Sequence, residues 1–126
     1  MKILQIVDTA YRATLEEQDD TILWLTHALR GAGADLGVLL RGNAVNYAVA
    51  AQQPVGLAIG DWRQSHPPAL AADLKGLRNK GVELFAVKED LEERGITGEQ
   101  LIGGIELVAR SRMAGLVGSF DRVWHW

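Results

Sequence analysis

The chain of 126 residues contains no cysteine. That absence removes a disulfide framework, a thiolate metal site and a cysteine nucleophile together, and leaves the redox compartment unreadable from thiols. Histidine is scarce as well. His27, His66 and His125 lie far apart and none has a second ligand at helical spacing, so no metal is expected. Positive charge is not in excess: 13 Lys and Arg stand against 16 Asp and Glu, for a net charge of −3. Proteins that bind a phosphate backbone concentrate Lys and Arg on one face, and nucleic acid is not an expected partner. Long apolar runs are missing too, because Arg41, Asp61 and Arg63 interrupt the most hydrophobic regions well short of the roughly 20 residues a spanning helix needs. No membrane partner is expected. The opening M-K-I-L-Q-I-V-D has one Lys and a short apolar run broken by Gln5, too little for a signal-peptide core, and the expected address is cytoplasmic. Neither G-x-x-x-x-G-K-[ST] nor G-x-S-x-G is present, which takes away the main support for a P-loop NTPase or an α/β-hydrolase.

What is present suits one globular domain over residues 1–126, 48% hydrophobic and able to bury roughly two-thirds of its unfolded surface. Ile3 to Val7 is β-rich and ends at Asp8-Thr9, as a buried first strand feeding a loop does. Thr14-Leu-Glu-Glu17 has the form of a capping box, so a helix is expected from there, with Ile22, Leu25, Ala28, Leu29 and Ala32 on one face and glycines at its end. Glu16, Glu17, Asp19 and Asp20 then sit in its first turn, where the helix dipole favours negative charge. Residues 35–40 predict a second strand, apolar enough to be covered on both sides. Residues 44–51 predict a short helix capped by Asn43, and residues 55–59 a short strand. Pro67 and Pro68 open a helix with Leu70, Leu74 and Leu77 buried. Residues 82–87 predict a strand and residues 88–94 a helical turn. Thr97-Gly-Glu-Gln100 predicts a capping box for a last helix carrying Leu101, Ile105, Leu107, Val108 and Leu116. Residues 121–126 predict a closing strand. Strands alternating with helices imply an α/β fold with a mostly parallel sheet of about five strands, sandwiched by helices in three layers. Gly31-Ala-Gly33-Ala-Asp-Leu-Gly37 has dinucleotide-like glycines but follows a helix and precedes a strand, the reverse of the required order.

Ligands of such sheets collect beyond the carboxyl ends of the strands. This nominates Asp8, Tyr11, Arg41, Asn43, Asp61, Arg63 and His66, with Arg41 and Arg63 suited to an anion such as phosphate or an oxidised sulfur species. Asp8, Asp61 and Asp73 have the chemistry of an acid/base set, and each also has a plain reading as loop-former, turn residue or solvated helix position. Ser65 would need a base, and the adjacent His66 is expected to point elsewhere, so no catalytic residue and no cofactor is assigned. His27 is expected to be solvated beside Arg30. Of the four tryptophans, Trp24 is expected on the core flank. Trp62, Trp124 and Trp126, on a loop and at the chain end, are candidate interface anchors.

The run P-P-A-L-A-A-D-L-K-G-L-R-N-K-G-V-E-L-F-A-V-K-E-D-L-E-E-R-G over residues 67–95 resembles the DsrE/DsrF/TusD family of sulfur-relay proteins. So do the N-terminal K-I-L-Q-I-V, the helix exit G-A-G before D-L-G-V-L-L, the G-N-A-V turn and the closing F-D-R-V. The resemblance implies a three-layer domain that assembles as a homo-oligomer, trimer or hexamer, or as a hetero-oligomer with DsrE-family paralogues. It also implies intracellular sulfur metabolism. Active members carry a reactive cysteine on the first helix of that run, and Asp73 stands at the matching position. A carboxylate does not hold a transferable sulfane sulfur, so persulfide relay through this chain is excluded and a structural or binding role is expected. Asp73 itself has two readings, aimed into the pocket or solvated.

Overall fold

The computed structural model describes residues 1–11, 20–53 and 55–126. Five strands form one all-parallel sheet: β1 (Lys2–Val7), β2 (Asp35–Leu40), β5 (Glu83–Val87), β6 (Ile105–Val108) and β7 (Arg122–His125), in the order β6-β5-β2-β1-β7. A separate antiparallel hairpin pairs β3 (Ala58–Ile59) with β4 (Trp62–Arg63). The helices are α1 (Thr21–Gly31), α2 (Leu70–Asn79), α3 (Lys88–Glu93) and α4 (Met113–Gly118), with 3-10 turns at Gly42–Ala48, Gly98–Gln100 and Arg110–Arg112.

Side chains of a strand alternate between faces, and here each face has its own core. Ile3 and Val7 of β1, Leu36, Val38 and Leu40 of β2, and Leu84 and Ala86 of β5 pack with Ile22, Leu23, Tyr47, Leu74, Leu77 and Leu91. Leu4, Ile6, Leu39, Phe85, Val87 and Val108 pack on the other face with Met113, Leu116, Val117 and Phe120. The chain therefore steps outward from β1 through β2 and β5 to β6 with its connections on the first face. It then crosses back to β7 with α4 on the second. Reversing direction across the sheet moves a right-handed crossover to the opposite face, which is why three layers form. Gly37 makes room for this second layer: a Cβ there would lie 2.8 Å from the Phe120 ring.

Several expectations need correction. The capping box at Thr14 lies outside the described residues, and α1 begins at Thr21, capped by the Asp20 carboxylate, which accepts from Ile22 N (2.8 Å) and Leu23 N (3.3 Å). The buried side of α1 is Ile22, Leu23 and Thr26, leaving Ala28 exposed. Trp24, rotated away from that side, is 59% exposed instead of packed on the core flank. Residues 42–48 wind as a 3-10 turn with no side-chain cap, so Asn43 is not a cap. The capping box of Thr97 and Gln100 is present but closes a 3-10 turn. The long last helix does not form. Gly104 adopts φ +85, and I-E-L-V beyond it, rich in strand formers, pairs with β5 as the edge strand β6. Leu116 belongs to the short α4 instead.

Candidate functional site

The carboxyl ends of the strands carry a continuous run of charged groups. Asp8, just past β1, is half-buried; its Oδ2 lies 3.7 Å from Arg41 Nε, past β2, and 3.4 Å from His125 Nε2, at the end of β7. Gly42 allows this approach: its φ is +55, and a Cβ would meet Asp8 Oδ1 at 2.5 Å. Asp90, buried in α3 just past β5, accepts from Gly42 N (2.8 Å) and from Arg110 beyond β6 (2.7 Å). Arg110 also reaches Glu93 at 3.3 Å, and its backbone N–H donates to Glu89 (2.8 Å). Arg94 donates through two nitrogens to Asn43 Oδ1, at 3.1 and 2.9 Å. Loops from all five strands of the sheet are tied together in this way.

Burial pushes the Asp90 carboxyl up, but the Gly42 N–H and the Arg110 guanidinium outweigh it and hold the group below its ordinary value. Glu89 is also lowered, chiefly by the Arg110 backbone N–H.

Beside this edge the loop after β1 meets the 3-10 turn through tyrosines. Tyr47 is fully buried, donates its hydroxyl to Asp20 Oδ2 at 2.6 Å and accepts from the Tyr11 N–H. Burial, followed by the bond to Asp20, raises the Tyr47 phenol so far that it stays protonated. The two rings meet edge-on at 5.4 Å. Tyr11 is thus bonded into the loop framework through its backbone, at φ 60.

The crevice where an α/β sheet of this kind takes a ligand lies where the strand order reverses, here between β1 and β7. There the residue after β7 is bonded across to β1 and the start of its loop. Trp126 main-chain O accepts from Asp8 N (3.0 Å) and Thr9 N (3.3 Å), and its indole N–H donates to the buried Gln5 Oε1 at 2.7 Å.

Of the sequence candidates, the structure brings Asp8, Arg41 and Asn43 to one edge and Tyr11 to its flank. Asp61, Arg63 and His66 stand exposed on or beside the β3–β4 hairpin. Ser65 Oγ and His66 Nδ1 lie 3.0 Å apart, contrary to the expectation that adjacent side chains diverge; both are exposed, so the pair lacks the enclosed site that nucleophilic chemistry uses. Asp73 is half-buried on α2, where its carbonyl is 3.0 Å from His27 Nε2. His27 in turn is half-buried between α1 and α2 instead of solvated, with Nδ1 accepting from Lys80 Nζ at 3.2 Å. Sequence reasoning missed Asp90, Arg94 and Arg110. Applying the strand-end rule to V-K-E-D after β5, as it was applied to Asp8 and Arg41, would have found Asp90.

The family model of the DsrE/DsrF-like family matches residues 1–125. The chain belongs to that family. Among solved structures it is similar to the ychN protein from E. coli, with 23% identity, TM-score 0.76, and 99% of this chain and 98% of that one covered. It is also similar to MTH1491 from Methanobacterium thermoautotrophicum, a protein of unknown function, with 14% identity, TM-score 0.65 and coverage of 99% and 98%. At these identities the likeness is one of fold. No curated protein matches the chain.

Chemically, the edge is a poor seat for a free anion. Arg41 faces Asp8, and Arg110 faces Asp90 and Glu93, so an incoming phosphate or sulfur oxyanion would have to displace a carboxylate. Among the described residues no cluster of three metal-ligating side chains occurs, and no helix is long and apolar enough to cross a membrane.

Proposed function

We propose that this chain is a DsrE-like assembly or binding component of cytoplasmic sulfur handling that carries no persulfide itself. The observation that carries this reading is the absence of cysteine from a chain matched to the family over residues 1–125. The conclusion does not depend on which position aligns with the family's cysteine, because no thiol stands anywhere in the sequence. Sulfane sulfur needs a polarisable thiolate to attack and to leave, and neither Asp73 nor the paired carboxylates at the strand ends supply one. The pairing of Arg41 with Asp8, and of Arg110 with Asp90 and Glu93, further supports a role in which the strand-end loops are held rigid.

The test uses a cysteine-bearing DsrE-family protein loaded with sulfur-35 persulfide, with and without this chain. The expected result is a stable complex, with the label remaining on the cysteine-bearing protein or its acceptor. Label bound covalently to this chain would refute the non-carrier role. A chain that stays monomeric at micromolar concentration and joins no such protein would refute the assembly role.

A further inference from the structure

Leu107 belongs to two features at once. Its backbone lies in β6, an edge strand of the sheet, whose outer row of N–H and C=O groups has no strand beside it. Its side chain, 41% exposed, is in register with Ala86 and therefore stands on the face of the sheet that Leu91 of α3 covers. There it forms one wall of a cavity of about 380 Å³, together with Leu91 and Glu92 of α3 and Ile96 and Gly98 beyond it. A cleft of this size with apolar walls is large enough to take a ligand group.

The surroundings of this edge are acidic. From Lys88 to Arg110 six carboxylates stand against three cations, so this segment carries the chain's whole net charge of −3 and the remainder is balanced. Within it Arg110 holds Asp90 and Glu93, and Lys88 lies 3.7 Å from Glu92. Glu99 and Glu106 are exposed, and among the described residues no ion pair joins either. Glu106 is on β6 itself, so a second β6 edge laid alongside would bring like charges together. The edge is thus disposed against its own copy and toward a basic strand.

We propose that β6 takes an extended, basic peptide segment of a partner protein as an added strand, with one aliphatic side chain of that segment seated in the Leu91–Ile96–Leu107 cavity. Main-chain bonds to the outer row of β6 supply the hold, and the alternation of a strand turns every second peptide side chain toward the cavity. Lys or Arg flanking the aliphatic residue meets Glu99 and Glu106, and an acidic segment is repelled by them. The non-carrier reading above is not needed here, because no sulfur chemistry enters the contact.

The probe is the peptide Lys-Arg-Val-Leu-Val-Arg-Lys, titrated into the full chain by fluorescence anisotropy, with amide hydrogen exchange read in parallel. The expected result is saturable binding that slows exchange in Ile105–Val108. Leu107→Ser and the double change Glu99→Lys/Glu106→Lys, all at exposed positions, should each weaken binding about tenfold. Peptides N-methylated at alternate residues test the backbone bonds without altering the protein: one register should lose binding and the other keep it, because only one row of peptide N–H groups faces β6. No difference between the two registers would overturn the added strand. Binding unchanged by Leu107→Ser would be charge attraction alone, and equal binding of a peptide with Glu in place of every Lys and Arg would remove the charge argument; either overturns the proposal. So would an absence of binding, or protection of β6 that grows with protein concentration when no peptide is present, which would give the edge to a second copy.

Discussion

Replacing Gln5 tests how the chain end is held against the sheet. Gln5 is fully buried in the middle of β1, where an apolar side chain would be the ordinary choice. Its Nε2 donates to Thr26 Oγ1 at 2.9 Å, and its Oε1 accepts from Trp126 Nε1 at 2.7 Å. One amide thereby joins β1, α1 and the residue that follows β7. Gln5→Leu loses both bonds, each worth about 0.5–1.5 kcal/mol net. The leucine returns part of this as apolar burial, and the half-buried Trp126 indole can turn to water. The expected loss is about 1–2 kcal/mol. Thr26→Val alone leaves the buried Nε2 without its acceptor, at about 1–3 kcal/mol.

The double variant separates this account from simple packing. Removing both partners takes away the stranded polar group, so Gln5→Leu/Thr26→Val should cost about 1–2 kcal/mol less than the sum of the single changes. Urea unfolding measures this. With slopes of about 1–3 kcal/mol/M, each single change moves the midpoint by about 0.5–1.5 M. Strict additivity, or a neutral Gln5→Leu, would refute the claim that the amide bridges the two elements. Thr26 Oγ1 also donates to Ile22 O at 2.7 Å, a bond that Gln5→Leu leaves in place, so it does not confound that arm of the cycle.

Three further outcomes follow. Tyr47→Phe removes a hydroxyl that the buried Asp20 carboxylate accepts from, and should cost about 1.5–3 kcal/mol in the same urea assay; a cost below about 0.5 would mean that the carboxylate does not depend on it. Gly42→Ala forces a left-handed backbone on alanine and pushes its methyl onto Asp8, and should cost at least about 1–2 kcal/mol; an unchanged midpoint would mean that this loop relaxes freely. For Asp90, whose folded pKa lies below its unfolded value, the stabilisation is complete above the ordinary carboxylate value near 3.9 and is lost as pH falls toward the folded value. Asp90→Asn should therefore be less stable at neutral pH and show a shallower acid limb, and parallel stability curves of the two proteins across that limb would refute it.

The alternation of strand and helix was legible because parallel strands buried on both sides read as apolar runs. K-I-L-Q-I-V and D-L-G-V-L-L needed no tertiary knowledge, and Leu70, Leu74 and Leu77 gave α2 by spacing alone. The last third misled for a physical reason. Leu101, Ile105, Val108 and Leu116 fall near helical spacing, yet the β5 edge offered I-E-L-V a hydrogen-bonding partner, and Gly103-Gly104 favoured a turn over helix continuation. The candidate site divided along the same line. Asp8 and Arg41 were visible as polar residues ending buried strands. Asp90 and Arg110 hid inside charged segments that resemble solvated surface, and only the folded register brings residues twenty apart in sequence to 2.7 Å. Gln5 and Thr26 were hidden more deeply, since each has the look of an interruption until the other is placed opposite it.

The charged edge also bears on what can replace the missing thiolate chemistry. Asp8, Glu89, Asp90 and Glu93 accept from or face Arg41, Arg110, His125 and two backbone N–H groups. A site built to take up an anion keeps cationic donors free until the anion arrives, because a carboxylate already in place must be desolvated and moved first. Among the described residues these donors are paired within the chain, and Trp126 main-chain O accepts from Asp8 N and Thr9 N at the start of the loop after β1. Such an edge stabilises loops. Among the described residues, exposed apolar side chains such as Leu57, Ile59, Trp62 and Trp124 stand away from this edge, on the β3–β4 ribbon and along β7. The charged pairs tie loops together, and none of them supplies the polarisable nucleophile that a thiolate would.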